Sequence, residues 1–233
     1  MPKKLIEVKD VWKIYEMEGA EGEECTKVQA LRGLNVTVNQ GDFLVIMGPS
    51  GSGKSTAMNM VGCLDRPTHG HILLDGDDIA KMSESKLAKV RGKKIGFVFQ
   101  KFNLINSLSA VENVAMPMVF QGVGEEERLE RARTLLESVR LGHRLYHRPS
   151  QMSGGEQQRV AIARALSNNP EIILADEPTG NLDSKTGAEI MNMLRELHKK
   201  EGKTIVLITH DVNLKLDHEK VIYLKDGKNV ERL

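Results

Sequence analysis

Three short runs constrain the fold more than anything else in the chain: FLVIMG (43–48), IILA (172–175) and IVLI (205–208), each apolar without interruption. A strand with one wet face alternates apolar and polar residues. An unbroken run therefore marks a strand buried on both faces, as in a parallel sheet covered by helices. IGFVFQ (95–100) is a candidate fourth. FLVIMG leads through a glycine-rich loop into KSTAMNMVGCL, and IILADEP leads through TGNLDS into KTGAEIMNMLRELHKKEG. In the second helix Ile190, Met193, Leu194 and Leu197 share a face, and Gly202 is placed as its C-cap. Strand, loop, helix, strand is the α/β pattern.

The flanks read differently. Residues 5–15 and 31–45 alternate in places, as at Leu34, Val36 and Val38, and HILLDGDDI (71–79) reads as a hairpin turning at Asp75-Gly76 or Gly76-Asp77. An antiparallel β layer beside the α/β core follows. Between these flanking strands EMEGAEGEE (16–24) is acidic and glycine-rich and is expected to be a mobile loop. From about 101 to 169 helical patterns replace strands: SAVENVAMPMVF, then EEERLERARTLLESVRL with Glu127 and Arg131 at i,i+4 spacing. The expected organisation is one domain over 1–233: a β layer and loop-bearing core to about 100, a helical insertion to about 157, and the rest of the core to 233.

The segment GPSGSGKST (48–56) matches G-x-x-x-x-G-K-[ST] between a buried strand and a helix. Glycines there let successive backbone N–H groups face a phosphate, Lys54 reaches the β- and γ-phosphates, and the Ser55 hydroxyl serves Mg²⁺. IILADEP ends in Asp176, suited to holding that metal through water, and Glu177, suited to polarising an attacking water. Gln100 and His210 each stand just past the carboxyl end of an apolar run, the edge where open α/β sheets bind ligands. A second anion socket opens QMSGGEQQRVAIARAL (151–166), where a serine and two glycines precede a helix.

Composition narrows the partners. Net charge is +1, and the only dense basic cluster, KVRGKK (89–94), reads as a solvated helix end, so no nucleic-acid surface is expected. No apolar run approaches the ~20 residues of a membrane helix. The N-terminal MPKKLIEVKDVW lacks the apolar core of a secretory signal, which predicts a cytoplasmic protein. Cys25 and Cys63 fit a reducing compartment. His143 and His147 have metal-ligand spacing, but Arg144 and Pro149 favour ordinary surface histidines. His69 and His71, on either side of Gly70, carry no assignment.

Taken in order, Tyr15, Gly48 to Ser55, Gln100, Ser153-Gly154-Gly155-Glu156-Gln157, Asp176 with Glu177, Asp183 and His210 resemble the nucleotide-binding subunit of an ABC transporter over practically the whole chain. The resemblance implies a P-loop NTPase (RecA-like) core with a mostly parallel sheet, an antiparallel β subdomain and an inserted helical subdomain. It implies ATP and Mg²⁺ as cofactors, with Tyr15 stacking on adenine and Gly48, Pro49, Ser50, Gly51, Ser52, Gly53, Lys54, Ser55 and Thr56 holding phosphates. Ser55, Gln100 and Asp176 would serve the metal, and Glu177, His210, Gln100 and Lys54 the hydrolysis. Ser153, Gly154, Gly155 and Glu156 would close on the γ-phosphate of a nucleotide held by a partner copy, and Asp183 would also belong to the nucleotide site. Met152, where the family usually has Leu, and Glu156, where it often has Gln, depart from the pattern.

The implied protein is an ATPase that forms a homodimer around two ATP and drives a separate transmembrane permease from the cytoplasmic face of the membrane. GCLDRPTHG, IGFVFQKFNLI and ENVAMP resemble the lipoprotein-release and macrolide-efflux branch, whose cargo is a lipoprotein, peptide or drug. A regulatory ATPase gating a membrane partner is the alternative. A DNA-repair ABC ATPase fits poorly, because only about fifty residues separate Gln100 from Ser153, too few for long heptad arms.

Overall fold

The computed structural model describes residues 2–17, 26–211 and 219–232. Residues 18–24 of the acidic segment, and Cys25, lie outside them, whereas Glu16 is still strand. The chain divides into two compact units, Met1–Leu87 with Val206–Leu233, and Ala88–Ile205.

In the first unit, β1 (Lys4–Met17) and β2 (Thr26–Asn39) pair antiparallel, with Val8 opposite Val36 and Val11 opposite Leu34. Leu31, Leu34, Val36 and Val38 of β2 are buried with polar residues exposed between them, the period-2 pattern of a sheet with one wet face. On its other edge β1 takes β4 (His69–Leu74), which turns back through Asp75-Gly76 into the short β5 (Asp77–Asp78). Both turn residues have positive φ, 55° and 87°, as a type I′ hairpin turn requires. The order is β2-β1-β4-β5.

A second sheet begins with β3 (Phe43–Met47), every residue of it buried. Helix α1 (Lys54–Val61) follows. Near the C-terminus β9 (Lys220–Lys225) lies parallel to β3, and β10 (Lys228–Val230) folds back antiparallel on β9. On the other side of β3 comes β8 (Thr204–Thr209), also buried throughout.

Helix α2 (Glu84–Lys94) runs into the second unit, and KVRGKK forms its C-terminal half. There Arg91, Lys93 and Lys94 meet the negative end of the helix dipole. It leads into β6 (Ile95–Val98), which pairs in parallel with β7 (Ile172–Asp176), Ile95 opposite Ile172 and Val98 opposite Ala175. Helix α3 (Ala110–Val119) starts in a capping box: Ser109 N donates to Glu112 Oε2 at 2.7 Å, and Glu112 N donates to Ser109 Oγ. Helix α4 (Glu125–Ser138) carries ion pairs at i,i+3 spacing, Arg128 with Glu125 and Arg133 with Glu130, in place of the expected Glu127–Arg131 pair.

Helix α5 (Gly154–Leu166) and helix α6 (Ser184–Glu201) complete the unit. Gly202 caps α6 at φ 66°, as predicted. The buried stripe of α6 runs through Gly187, Ile190, Met191, Leu194 and Leu197, so Met191 takes the core position expected of Met193. Met193 sits at the stripe's edge and lines a small cavity with Ile162, Leu166 and Leu197. His143 falls in a single 3-10 turn, Gly142–Arg144, and His147 lies beyond it, its Nε2 3.1 Å from Arg144 Nη1. They share no helix face.

Strand β6 and helix α5 approach closely at Gly96, where a Cβ would stand 2.2 Å from the Ala165 carbonyl oxygen of α5. Neither partner is a flexible side-chain end, so relief requires the helix to move off the strand. Gly96→Ala is expected to cost about 2–3 kcal/mol, the usual scale of overpacking. Denaturant titration measures it, and an unchanged midpoint refutes the packing account.

Candidate functional site

The first unit holds the phosphate-loop segment. It leaves the end of β3 at Gly48 and re-enters regular structure at Lys54. Gly53, at the N-cap of α1, has φ 97°, and a Cβ on it would lie 2.6 Å from the Ala30 carbonyl oxygen. Only glycine satisfies both constraints. At Gly48 a Cβ would come within 2.3 Å of the Leu224 oxygen and 2.5 Å of Ser52 Oγ. No side chain caps α1, so its first-turn N–H groups are left to an incoming acceptor.

Lys54 is 8% exposed and its ammonium donates to the Pro49 carbonyl at 2.8 Å. Ser52 Oγ is buried and has no hydrogen-bond partner among the described residues. Pro49, Ser50, Gly51 and Ser55 are exposed and Thr56 is half-buried. Tyr15, on β1, is exposed; its hydroxyl donates to Asp65 Oδ2 at 3.3 Å, and Lys13 Nζ sits 5.0 Å from its ring centroid. Lys13 also pairs with Asp65 at 2.8 Å, so the ring is held from two sides. His210 follows β8 directly and is exposed.

The second unit brings the remaining sequence-predicted residues together. Gln100 stands two residues past β6. Its backbone oxygen accepts from Asn181 Nδ2 at 2.8 Å, and its side-chain Nε2 is 2.6 Å from where a Cβ on Gly180 would be. Asp176 ends β7 and Glu177 follows at φ 43°, a left-handed backbone that only glycine adopts readily. Gly180 N donates to the Glu177 oxygen at 3.0 Å, closing a turn that leads to Asp183. The Asp183 carboxylate caps α6, accepting from Lys185 N, Thr186 N and Thr186 Oγ1 at 3.1, 3.0 and 2.6 Å. The Thr186 hydroxyl first, then the backbone amides, holds its pKa low.

The start of α5 packs against this turn. A Cβ on Gly154 would lie 3.3 Å from Leu182 Cδ2 and 3.7 Å from Phe102 Cζ, and one on Gly155 would lie 2.5 Å from Thr186 Cγ2. Ser153 is exposed and caps the helix, its Oγ accepting from Glu156 N at 3.2 Å while Glu156 Oε2 accepts from Ser153 N at 2.8 Å. The other Glu156 oxygen takes Arg144 Nε at 2.9 Å. The negative charge that Glu156 brings to this turn is thus already paired. Met152 is buried, as an apolar residue there should be.

Three residues outside the predicted set organise the second unit. Arg164 donates through Nη2 to the Phe102 oxygen at 2.7 Å and through Nη1 to the Asn103 oxygen, holding two successive left-handed residues at φ 56° and 51°. Arg144 holds Glu156. Gln158, fully buried, donates to the Pro178 oxygen at 2.7 Å. One signal in the sequence pointed to Gln158: it shares an i, i+3, i+4, i+7 stripe with Ala161, Ile162 and Ala165, a polar residue on an apolar face.

The Glu156 carboxyl is held below its ordinary 4.5 by the Ser153 backbone N–H foremost and by Arg144, against the opposing effect of burial. A depressed carboxylate contributes stability above its unfolded pKa and loses it as pH falls through the lower folded value. Glu156→Gln is therefore expected to narrow the melting-temperature difference between about pH 7 and about pH 3. An equal difference in both proteins rules the attribution out.

The ABC transporter family model matches residues 31–180. An uncharacterized ABC transporter ATP-binding protein of Thermotoga maritima is 53% identical over 226 residues, spanning 97% of this chain and 94% of the relative. The macrolide export ATP-binding/permease protein MacB of Hyphomonas neptunium is 49% identical over 96% of this chain, which matches only 34% of MacB's length. Among solved structures, the ATP-binding cassette MJ0796 of Methanocaldococcus jannaschii, a dimer in a post-hydrolysis state bound to ADP and Pi, aligns at TM-score 0.86 with 50% identity, covering 98% of this chain and 97% of that one. With fold, motif order and kinship in agreement, this chain belongs to the ABC transporter family, as an ATP-binding subunit with ATPase activity.

Proposed function

We propose that this chain is the motor of an exporter or releaser of lipoprotein, peptide or drug, closing as a homodimer around two ATP and driving a separate permease at the cytoplasmic face of a membrane. The observation that carries the reading is the presence of two anion-receiving helix starts, at Gly53-Lys54 and at Ser153-Gly154. One triphosphate occupies only the first. The second, exposed at Ser153, fits the γ-phosphate of a nucleotide held by the other copy, and reciprocity makes the pair two-fold. Relatives in MacB combine, by name, an ATP-binding and a permease part, of which this chain matches about a third. No helix among the described residues is long and apolar enough to cross a membrane.

Each residue's role follows from its chemistry. The N–H groups between Ser50 and Gly53 that find no partner among the described residues, together with the Lys54 ammonium, receive the phosphates, with Thr56 beside them at the helix start. Exchange of the Pro49 carbonyl for a phosphate oxygen turns a neutral acceptor into a charged one, which strengthens the Lys54 contact. Tyr15 offers an exposed ring edge and face to adenine. Glu177 takes a proton from the attacking water, Gln100 orients that water, and His210 donates toward the γ-phosphate as its negative charge grows. Asp183 fixes the start of α6 and thereby the turn that carries the base.

The donor set suits magnesium. Ser55 offers an exposed hydroxyl, Asp176 a half-exposed carboxylate and Gln100 an amide oxygen, all hard oxygen ligands. When bound, the ion neutralises charge building between the β- and γ-phosphates. Loss of the γ-phosphate then removes the bridge between copies, and the closed state loses its differential affinity.

Glu177→Gln is expected to leave ATP binding intact and slow turnover by ~10²–10⁴ fold, the scale for removing a general base, while trapping an ATP-dependent dimer on a sizing column. Ordinary turnover in that variant defeats the assignment. Ser153→Arg, placed in the same background, is expected to abolish the dimer while each monomer still binds ATP by calorimetry. Dimers that survive it would show that the second helix start has no part in pairing.

A further inference from the structure

We infer that Gln158 is a positioning residue for Glu177, acting through the Pro178 carbonyl; this rests on the reading of Glu177 as the base. The argument starts from the backbone. Glu177 has φ 43°, where an L-residue with a Cβ gives up roughly 1–2 kcal/mol. It also precedes a proline, whose ring pushes the preceding residue toward extended conformations. Two independent preferences therefore oppose the conformation that Glu177 holds. Such a conformation persists only where surrounding contacts over-determine it.

Among the described residues, one hydrogen bond grips each of the first two carbonyls of the turn, those of Glu177 and Pro178. The Gly180 N–H closes it from within, at 3.0 Å to the Glu177 oxygen. Gln158 closes it from outside: its Nε2 donates to the Pro178 oxygen at 2.7 Å, and the whole side chain is excluded from solvent. A buried neutral hydrogen bond has no water to replace it, so its loss leaves an acceptor orphaned. The Gln158 Oε1 has no partner among the described residues. Keeping an amide here, with half of it unsatisfied and between alanine and isoleucine neighbours, makes sense only if its donor is needed.

The same helix begins at Ser153, five residues earlier. A rigid rod thus joins the turn that meets the other copy's nucleotide to the turn that carries this copy's base. Closure on one nucleotide sets the aim of Glu177 at the other. Glu177 would be correctly placed only when α5 is seated.

The test is a double-mutant cycle on the full-length chain. Gln158→Met removes the donor at nearly constant volume. It is expected to lower kcat by about 10–100-fold while half-saturating ATP moves less than about threefold, as displacement of a catalytic group should. In the Glu177→Gln background the same change should alter residual turnover by less than about threefold, since there is no base left to misplace. Unchanged kcat in Gln158→Met, or an equal loss in both backgrounds, overturns the proposal; the latter is what a merely structural role produces. Should Gln158→Met fail to unfold cooperatively, Gln158→Asn, one methylene too short to reach Pro178, replaces it in both arms. If Glu177→Gln alone turns over normally, the base reading falls and takes this inference with it. A slow Glu177→Gln beside an unaffected Gln158→Met overturns the inference alone.

Discussion

Burial of β3, β7 and β8 on both faces is the constraint from which the rest follows. A strand with no wet face has little room for a polar side chain in its middle, since each would need a partner in the dry interior, and β8 keeps its two threonines, Thr204 and Thr209, at its ends. Chemistry is therefore pushed to the strand ends. Gly48 follows Met47, Asp176 ends β7 and His210 follows Thr209, and in each case the first groups able to meet a charged ligand appear where the apolar run stops. Function is segregated by solvation before any residue-specific role is considered.

Helix starts supply the complement. Those of α1 and α5 both present N–H groups at a serine- or glycine-rich entry, but they are finished differently. At α1 no side chain caps the first turn, and the glycines leave the backbone bare. At α5 Ser153 and Glu156 close a capping box, and Arg144 balances the carboxylate, so the entry is ordered before any anion arrives. The first arrangement suits wrapping a phosphate in backbone. The second suits a rigid surface brought up to a phosphate that another element already holds.

These differences explain what was legible in the sequence. Unbroken apolar runs gave β3, β7 and β8 to within a residue, because double burial leaves no alternative composition. Period-2 alternation in β2 and Gly202 after α6 were equally direct, each reporting a local requirement. Met193 was expected in the core where Met191 stands, because the two lie on either flank of the Ile190–Leu194 stripe and only packing selects between them. The i,i+4 pair on α4 gave way to i,i+3 pairs for a similar reason: exposed charges choose rotamers, and many are nearly equal in energy. The phosphate-loop, acidic and signature-like motifs were readable as strings. Of the residues that hold them, only Gln158 left a trace, as a polar residue on an apolar stripe; the partners of Arg144, Gln158 and Arg164 were not readable, because they are backbone carbonyls or a side chain distant in sequence, and a carbonyl leaves no mark on residue identity.

Strain and its clamps are distributed unevenly along the second unit. Phe102, Asn103, Arg140, Asn169 and Glu177 all hold left-handed backbone without being glycine, and the stretches at 102–103 and 177 lie beside Gln100 and at the position of Glu177 itself. Relaxed loops would have been cheaper, and their carbonyls would then point elsewhere. The two stretches beside Gln100 and Glu177 are instead gripped by α5, Arg164 on Phe102 and Asn103, Gln158 on Pro178. A clamp of this kind works only while the helix that carries it stays rigid, which accounts for the small, tightly buried residues Ala161, Ala163 and Ala165 along α5: short side chains let it seat closely and leave few rotamers to loosen. The loops are thereby as well defined as the helix is, and any shift of the helix is passed to both at once.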